Sequence, residues 1–240
     1  MRYKIGRLQN SIAALELKER TLHQNTLILG EEGSGKTLLA SKIRHYVMSC
    51  GIPTLYLDFS NPSIEKIEEK FKDSESFFYL RFEESDAFEE ALSKAIIEKK
   101  NIYMAVDPSF FASKRSEKSR LSKTIQKREL LENYYYFFQE IESLNGFYTK
   151  FEDFIYYIFD LINMKKYGFT FLTLPNEIFE DSRIKLLFTF LYLGRCSNAN
   201  YYNTAVLRSL KTNTFYYQYR MENRSLLFNR IESDIAIIDE

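Results

Sequence analysis

The stretch TLILGEEGSGKTLLASKI, residues 26–43, carries Gly30, Gly33 and Gly35, three of the chain's 8 glycines, and Lys36 and Thr37 follow at once. Residues of these types at this spacing suit the capture of a polyphosphate. Glycine has no β-carbon to hold the backbone away from an anion. Successive N–H groups in such a loop can turn inward as a nest for oxygens. A helix that starts at the loop adds its dipole and its free amides. Lys36 then supplies a mobile charge for the outer phosphates, and Thr37 a hydroxyl for the magnesium ion that accompanies them. Every fixed position of G-x-x-x-x-G-K-T is met, at Gly30, Gly35, Lys36 and Thr37. The expected cradle is Gly30, Glu31, Glu32, Gly33, Ser34, Gly35, Lys36, Thr37 and Leu38, and the expected ligand is ATP with magnesium.

A cradle of this kind needs a partner acid, usually at the end of a neighbouring apolar strand, to hold the metal through water. NIYMAVD places Asp107 there, with a strand-end turn at Asp107-Pro108 as its other reading. Asp58 ends TLYLD, where an acid can act as base toward a substrate hydroxyl or simply cap a turn. Glu152 and Asp153 in KFEDF open a helical pattern, which favours capping. The final IAIIDE has the look of a strand followed by a catalytic Glu, but its place at the end of the sequence reads as coincidence.

The elements that must position these residues follow from periodicity and breakers. Residues 7–20 show apolar spacing compatible with a short helix, so residues 1–24 are expected as an N-terminal helix. TLIL reads as a buried strand, TLLASKIRHYVMSC as a helix stopped by Gly51, and TLYLDF as a second strand. SIEKIEEKFKD suits a helix, FFYLRF a strand, SDAFEEALSKAIIEKK an amphipathic helix and NIYMAVD a strand. Residues 114–144 read as one long helix or a loop leading into a helix, and residues 151–167 as another helix. FTFLTLP and RIKLLFTFLYLG contain strands. A short helix NTAVLRSL then precedes FYYQYR, SLLFNR and IAIID, a hairpin turning near Glu222-Asn223. Strands alternating with helices indicate parallel crossover units, an α/β sheet covered on both faces. The ligand is then expected at the carboxyl ends of the strands.

Composition bounds the rest. Apolar residues make up 45% of the 240, enough for a large core, and net charge is zero. The window 114–128 is locally basic: Lys114, Arg115, Lys118, Arg120, Lys123, Lys127 and Arg128 stand against Glu117 alone. That window is either a nucleic-acid contact or a solvated helix face. The aromatic run Tyr134–Phe138 reads as core before it reads as a stacking platform or an oligomer face. Two distant cysteines, Cys50 and Cys196, argue against a disulfide framework and for a reducing, cytoplasmic setting. His23 and His45 lack metal spacing with either cysteine. The opening MRYKIGRLQN has no apolar signal region, and no apolar run is long enough to span a membrane.

In order, these pieces resemble the FtsK–HerA group of P-loop ATPases, which pump DNA and include conjugation and viral-packaging relatives. The resemblance rests on LILGEEGSGKTLLASKI, GIPTLYLDFSNPSIEKI, NIYMAVD and LINMKKYGFTFLTLP. It implies a RecA-like, additional-strand P-loop domain over residues 1–240, with the nucleotide core at 22–195 and an appendage at 196–240. It also implies magnesium on Thr37 and Asp107, a ring of identical subunits, DNA as substrate, and an arginine finger reaching a neighbour's site. Arg195 is the candidate finger, with Arg208 behind it. Thr173 and Pro175 match a sensor strand. Two positions depart from the pattern. Pro108 stands where the family has a catalytic Glu, and Leu174 near where it has a sensor Gln, with Asn176 the closest amide. Glu31, Glu32, Glu152 and Asp153 are then candidate bases. The other readings are a small-molecule or nucleoside kinase with Asp58 as base, and a nucleotide-gated regulatory subunit with weak turnover.

Overall fold

The computed structural model describes residues 2–10, 13–60, 77–83, 85–108, 121, 123–144, 164–176, 179, 182–197, 204–221 and 230–239. The chain divides into two compact units, one of Met1–Ser49 with Gly168–Glu240 and one of Cys50–Tyr167. The expected helix at 63–73, residues 151–163 of the helix expected at 151–167, the candidate bases Glu152 and Asp153, and the turn at Glu222-Asn223 lie outside the described residues.

The first unit is built on β1 (Arg2–Leu8), β2 (Ala14–Lys18), β3 (Thr26–Leu29), β8 (Phe169–Thr173), β9 (Phe190–Leu193), β10 (Thr214–Met221) and β11 (Arg230–Ile238). Their order is β2-β1-β11-β10-β9-β3-β8. β3 is parallel to both β8 and β9, and all three are buried along their length. Burial on both faces is what a continuous apolar run such as TLIL requires. From β9 outward the pairing turns antiparallel, through β10, β11, β1 and β2. α1 (Lys36–Ser49) packs against β1, β3 and β8 through Leu39, Ala40, Ile43 and Val47, and Gly51 follows it with φ +73°.

The expected N-terminal helix is instead the β1–β2 pair followed by a 3-10 turn at Glu19–His23. The segment ALELK buries Leu15 and Leu17 while Glu16 and Lys18 remain half-exposed. That is a period of two, which a strand satisfies and a helix does not. The two C-terminal strands FYYQYR and IAIID are confirmed in β10 and β11, paired antiparallel.

The second unit holds β4 (Thr54–Asp58), β5 (Phe77–Arg81), β6 (Asn101–Ala105) and β7 (Tyr135–Gln139), in the order β7-β4-β6-β5, all parallel. α2 (Asp86–Ile97) starts on an N-cap: Phe88 N donates to Ser85 Oγ at 3.1 Å. Asp86 and Glu89 in its first turn and Lys94 in its last complement its dipole. Where residues 114–144 are expected as one long helix or a loop leading into a helix, the described residues 128–139 form a short α3 (Arg128–Asn133) followed by the strand β7. Tyr134–Phe138 are all fully buried, so the aromatic run is core. Across the sheet Tyr56 stacks on Tyr103 at 5.2 Å and on Phe137 at 5.4 Å, one ring from each of three adjacent strands. In the remaining described chain, α4 (Ser182–Lys185) and α5 (Thr204–Ser209) are short and flank β9. No helix among the described residues is long and apolar enough to cross a membrane.

Candidate functional site: a phosphate loop at the end of β3

β3 ends at Leu29, and residues 30–35 turn through two glycines of positive φ, Gly33 at +71° and Gly35 at +96°, before α1 begins at Lys36. The loop is held on every side within its own unit. Gly30 N donates to Thr173 O at 3.3 Å, tying it to the end of β8. Glu31 N donates to Arg195 O at 2.9 Å, and Gly194 N donates to Leu29 O at 2.6 Å, tying it to the end of β9. Ser197 donates to Glu31 Oε1 through both its N–H and its hydroxyl. Ser34 is buried between Gly30 and Gly194, and a β-carbon on Gly30 would come within 3.1 Å of Ser34 Cβ. Gly30 is therefore required by loop packing, a different reason from closeness to an anion.

Lys36 folds back on the loop, its Nζ donating to Gly30 O at 2.6 Å and Glu31 O at 2.9 Å. The ammonium is thus held by two carbonyls of the loop itself, which a polyphosphate would replace with charged oxygens. Thr37 lies exposed in the first turn of α1. Its hydroxyl beside a polyphosphate suits magnesium, which keeps several waters and takes few protein ligands. No cluster of three metal-ligating side chains exists among the described residues, so phosphate oxygens would have to complete such a site.

Arg195 lies beside the loop of its own chain. Its Nη2 is 3.9 Å from where a β-carbon on Gly33 would stand. Cys196, buried next to it, has its thiol pushed up to about 11 by burial and by Glu31, with Lys36 opposing. Thr173 is buried at the end of β8, its hydroxyl donating to Leu174 O at 3.1 Å, and Asn176 lies three residues further on.

In the second unit the acids sort differently. Asp58 is buried and both its oxygens are engaged. Oδ1 accepts from Ser60 N at 2.9 Å and Ser60 Oγ at 2.6 Å, and Oδ2 accepts from the Tyr103 hydroxyl. Burial and the Asp58 carboxylate hold the Tyr103 phenol protonated far above its ordinary range. A carboxylate with three of its roughly four acceptor sites so occupied is suited to closing a turn. Asp107 is half-buried, two residues past the end of β6.

The sequence reading missed the end of β7, where Gln139 and Glu140 follow YYFF. Gln139 is buried and its Oε1 accepts from the Tyr56 hydroxyl at 2.7 Å. Glu140 has φ +54°. A left-handed backbone at a non-glycine residue is uncommon, and such strain concentrates at functional positions. The signal was present as an apolar run closed by an amide and an acid, but only a strand there makes it legible.

Among the basic residues of 114–128, Lys127 pairs with Glu89 at 2.6 Å and Arg128 with Glu132 at 2.7 Å, while Lys123 is exposed. Lys114, Arg115, Lys118 and Arg120 lie outside the described residues.

No family model matches the sequence, and no curated protein does. Solved structures do match the fold. VirB4 of Thermoanaerobacter pseudethanolicus superposes with a TM-score of 0.60 at 8% identity, covering 99% of this chain and 96% of that one. The genome packaging NTPase B204 of Sulfolobus turreted icosahedral virus 2, in complex with ATPγS, gives 0.53 at 14% identity over 90% and 98%. The chain shares its α/β fold with these two structures. The same fold recurs in the cytoplasmic domain of the Thermomonospora curvata type VII secretion ATPase EccC, with a TM-score of 0.51 at 13% identity. This chain spans about a quarter of that protein, 26%.

Proposed function

We propose that the protein binds ATP with magnesium on the loop Gly30–Leu38 and hydrolyses it. The observation that carries this is the loop itself: it follows a buried parallel strand, turns through Gly33 and Gly35 at positive φ, and ends in Lys36, whose ammonium folds back onto the loop's own carbonyls. Thr37 would hold the metal and Lys36 the outer phosphates. Asp107, which follows β6, is proposed as the acid that holds the metal through water. Hydrolysis also needs a carboxylate to orient the attacking water, for which the loop's own Glu31 and Glu32 are the candidates among the described residues. Arg195 is proposed to act on phosphates bound to its own chain, since its guanidinium lies beside Gly33. The kinase reading has less support, because both oxygens of Asp58 already accept hydrogen bonds that suit a turn-closing role.

The finer reading is a cytoplasmic oligomer that couples turnover to DNA. Its support is the basic window, Lys123 above all among the described residues, the free thiols of Cys50 and Cys196, and a fold shared with a genome packaging NTPase. The test is release of phosphate from Mg-ATP by the purified chain, with and without single- and double-stranded DNA at low salt. The expected result is turnover that DNA stimulates and that salt suppresses, because each neutralised phosphate releases counterions. Turnover indifferent to both DNA forms removes the DNA reading and leaves the ATPase. Tight binding with no phosphate release removes the ATPase and leaves a nucleotide-gated subunit.

A further inference from the structure

We propose that Asn213, in the turn between α5 and β10, is a positioning residue of the nucleotide site that aims the Gly35 N–H into the phosphate loop. The proposal rests on the reading of residues 30–38 as a nucleotide cradle and adds to it a residue far outside the motif.

Asn213 N donates to Ser34 O at 3.1 Å. A trans peptide is planar, with its C=O and N–H pointing to opposite sides. Drawing the Ser34 carbonyl outward onto Asn213 therefore turns the N–H of the next residue, Gly35, the other way, toward the inside of the loop. That N–H is one of the donors a nest for phosphate oxygens requires. Asn213 also occupies the space beside Gly35. A β-carbon on Gly35 would overlap Asn213 Oδ1 and lie 2.9 Å from both its N and its Cα. The second glycine of the motif is thus fixed from outside by this turn as well as by its own φ of +96°.

The turn has a conformational requirement of its own. Asn213 has φ +61°, which asparagine and glycine adopt readily and other residues pay for. Its carbonyl accepts from Ile238 N at 2.9 Å, so the residue that sets the loop is anchored to β11. Main-chain geometry and not amide chemistry is what the loop needs from position 213.

The experiment is the affinity of the full chain for Mg-ATPγS, measured by calorimetry on Asn213→Gly, Asn213→Asp, Asn213→Ala and Asn213→Val, with thermal unfolding measured on each. Glycine and aspartate, which tolerate the left-handed turn, are expected to bind within about threefold of the native chain. Alanine is expected to lose about tenfold, the cost of forcing an ordinary residue to positive φ. Valine is expected to lose more, and the glycine–alanine pair decides the matter even where the valine variant does not fold. Hydrogen exchange at the Gly35 amide, read without nucleotide, is expected to differ from native in alanine and to match it in glycine. A purely structural role would shift melting temperature without this order in affinity. Equal affinity across the series overturns the proposal, as does a loss in glycine equal to that in alanine. Failure of the native chain itself to bind Mg-ATPγS would instead remove the nucleotide reading, so the two failures are distinguishable.

Discussion

Exchanging Arg195 for alanine tests whether its guanidinium serves the nucleotide of its own chain. Its Nη2 lies 3.9 Å from where a β-carbon on Gly33 would stand, and its carbonyl accepts from Glu31 N at 2.9 Å, so the residue is tied to the loop by its main chain. Alanine keeps that main-chain bond and removes only the guanidinium. The melting temperature is therefore expected to stay nearly constant, and Mg-ATP affinity to fall by the worth of one charge-assisted hydrogen bond, roughly ten- to a hundredfold. Turnover is expected to fall by about 10³–10⁵, the usual contribution of an arginine that stabilises the charge of phosphoryl transfer. That corresponds to about 4–7 kcal/mol of activation free energy. Phosphate release under saturating Mg-ATP, alongside binding by calorimetry, reads both quantities, and mixing Arg195→Ala with Lys36→Ala tells own-chain from neighbouring-chain action. The assignment is refuted when Arg195→Ala keeps most of its turnover, or when the mixture regains it.

Three further outcomes are expected. Tyr103→Phe leaves Asp58 Oδ2 buried without its donor and should cost about 1.5–3 kcal/mol in urea unfolding, with nucleotide affinity unchanged. Cys50, half-buried, should react with a thiol reagent in the folded protein, whereas Cys196 should react only on unfolding. The Cys196 thiol is raised in the folded state from 9.0 to about 11, so its contribution to stability is whole below pH 9 and is lost as pH rises toward 11. Stability curves of the native chain and Cys196→Ser should therefore converge across that window.

The loop, its strand β3 and the helix α1 were legible because Gly30, Gly35, Lys36 and Thr37 form a pattern of fixed spacing between an apolar run and a helical one. β4, β6 and β8 were legible as short apolar runs with clear breakers. The N-terminal strands were not. RLQNSIAALELKER satisfies a helical spacing loosely, and the register shift in β1 between Lys4 and Gly6 breaks the alternation that would betray a strand. β7 was lost for another reason. Its residues are buried on both faces, so no alternation exists, and it follows the helix-forming run RELLEN with no glycine or proline between them. Missing that strand hid Glu140. Asn213 was beyond sequence reasoning altogether, since nothing local relates a turn before β10 to a loop after β3.

The most direct test is a calorimetric titration of the purified chain with Mg-ATP, run beside Lys36→Ala. Removing an ammonium that makes charge-assisted hydrogen bonds to phosphate should cost about 2–4 kcal/mol, or roughly 30- to 1,000-fold in affinity. The account predicts saturable binding by the native chain and a loss of that size in a variant that remains folded. Native-like binding by Lys36→Ala, or no saturable binding by the folded native chain, would contradict it.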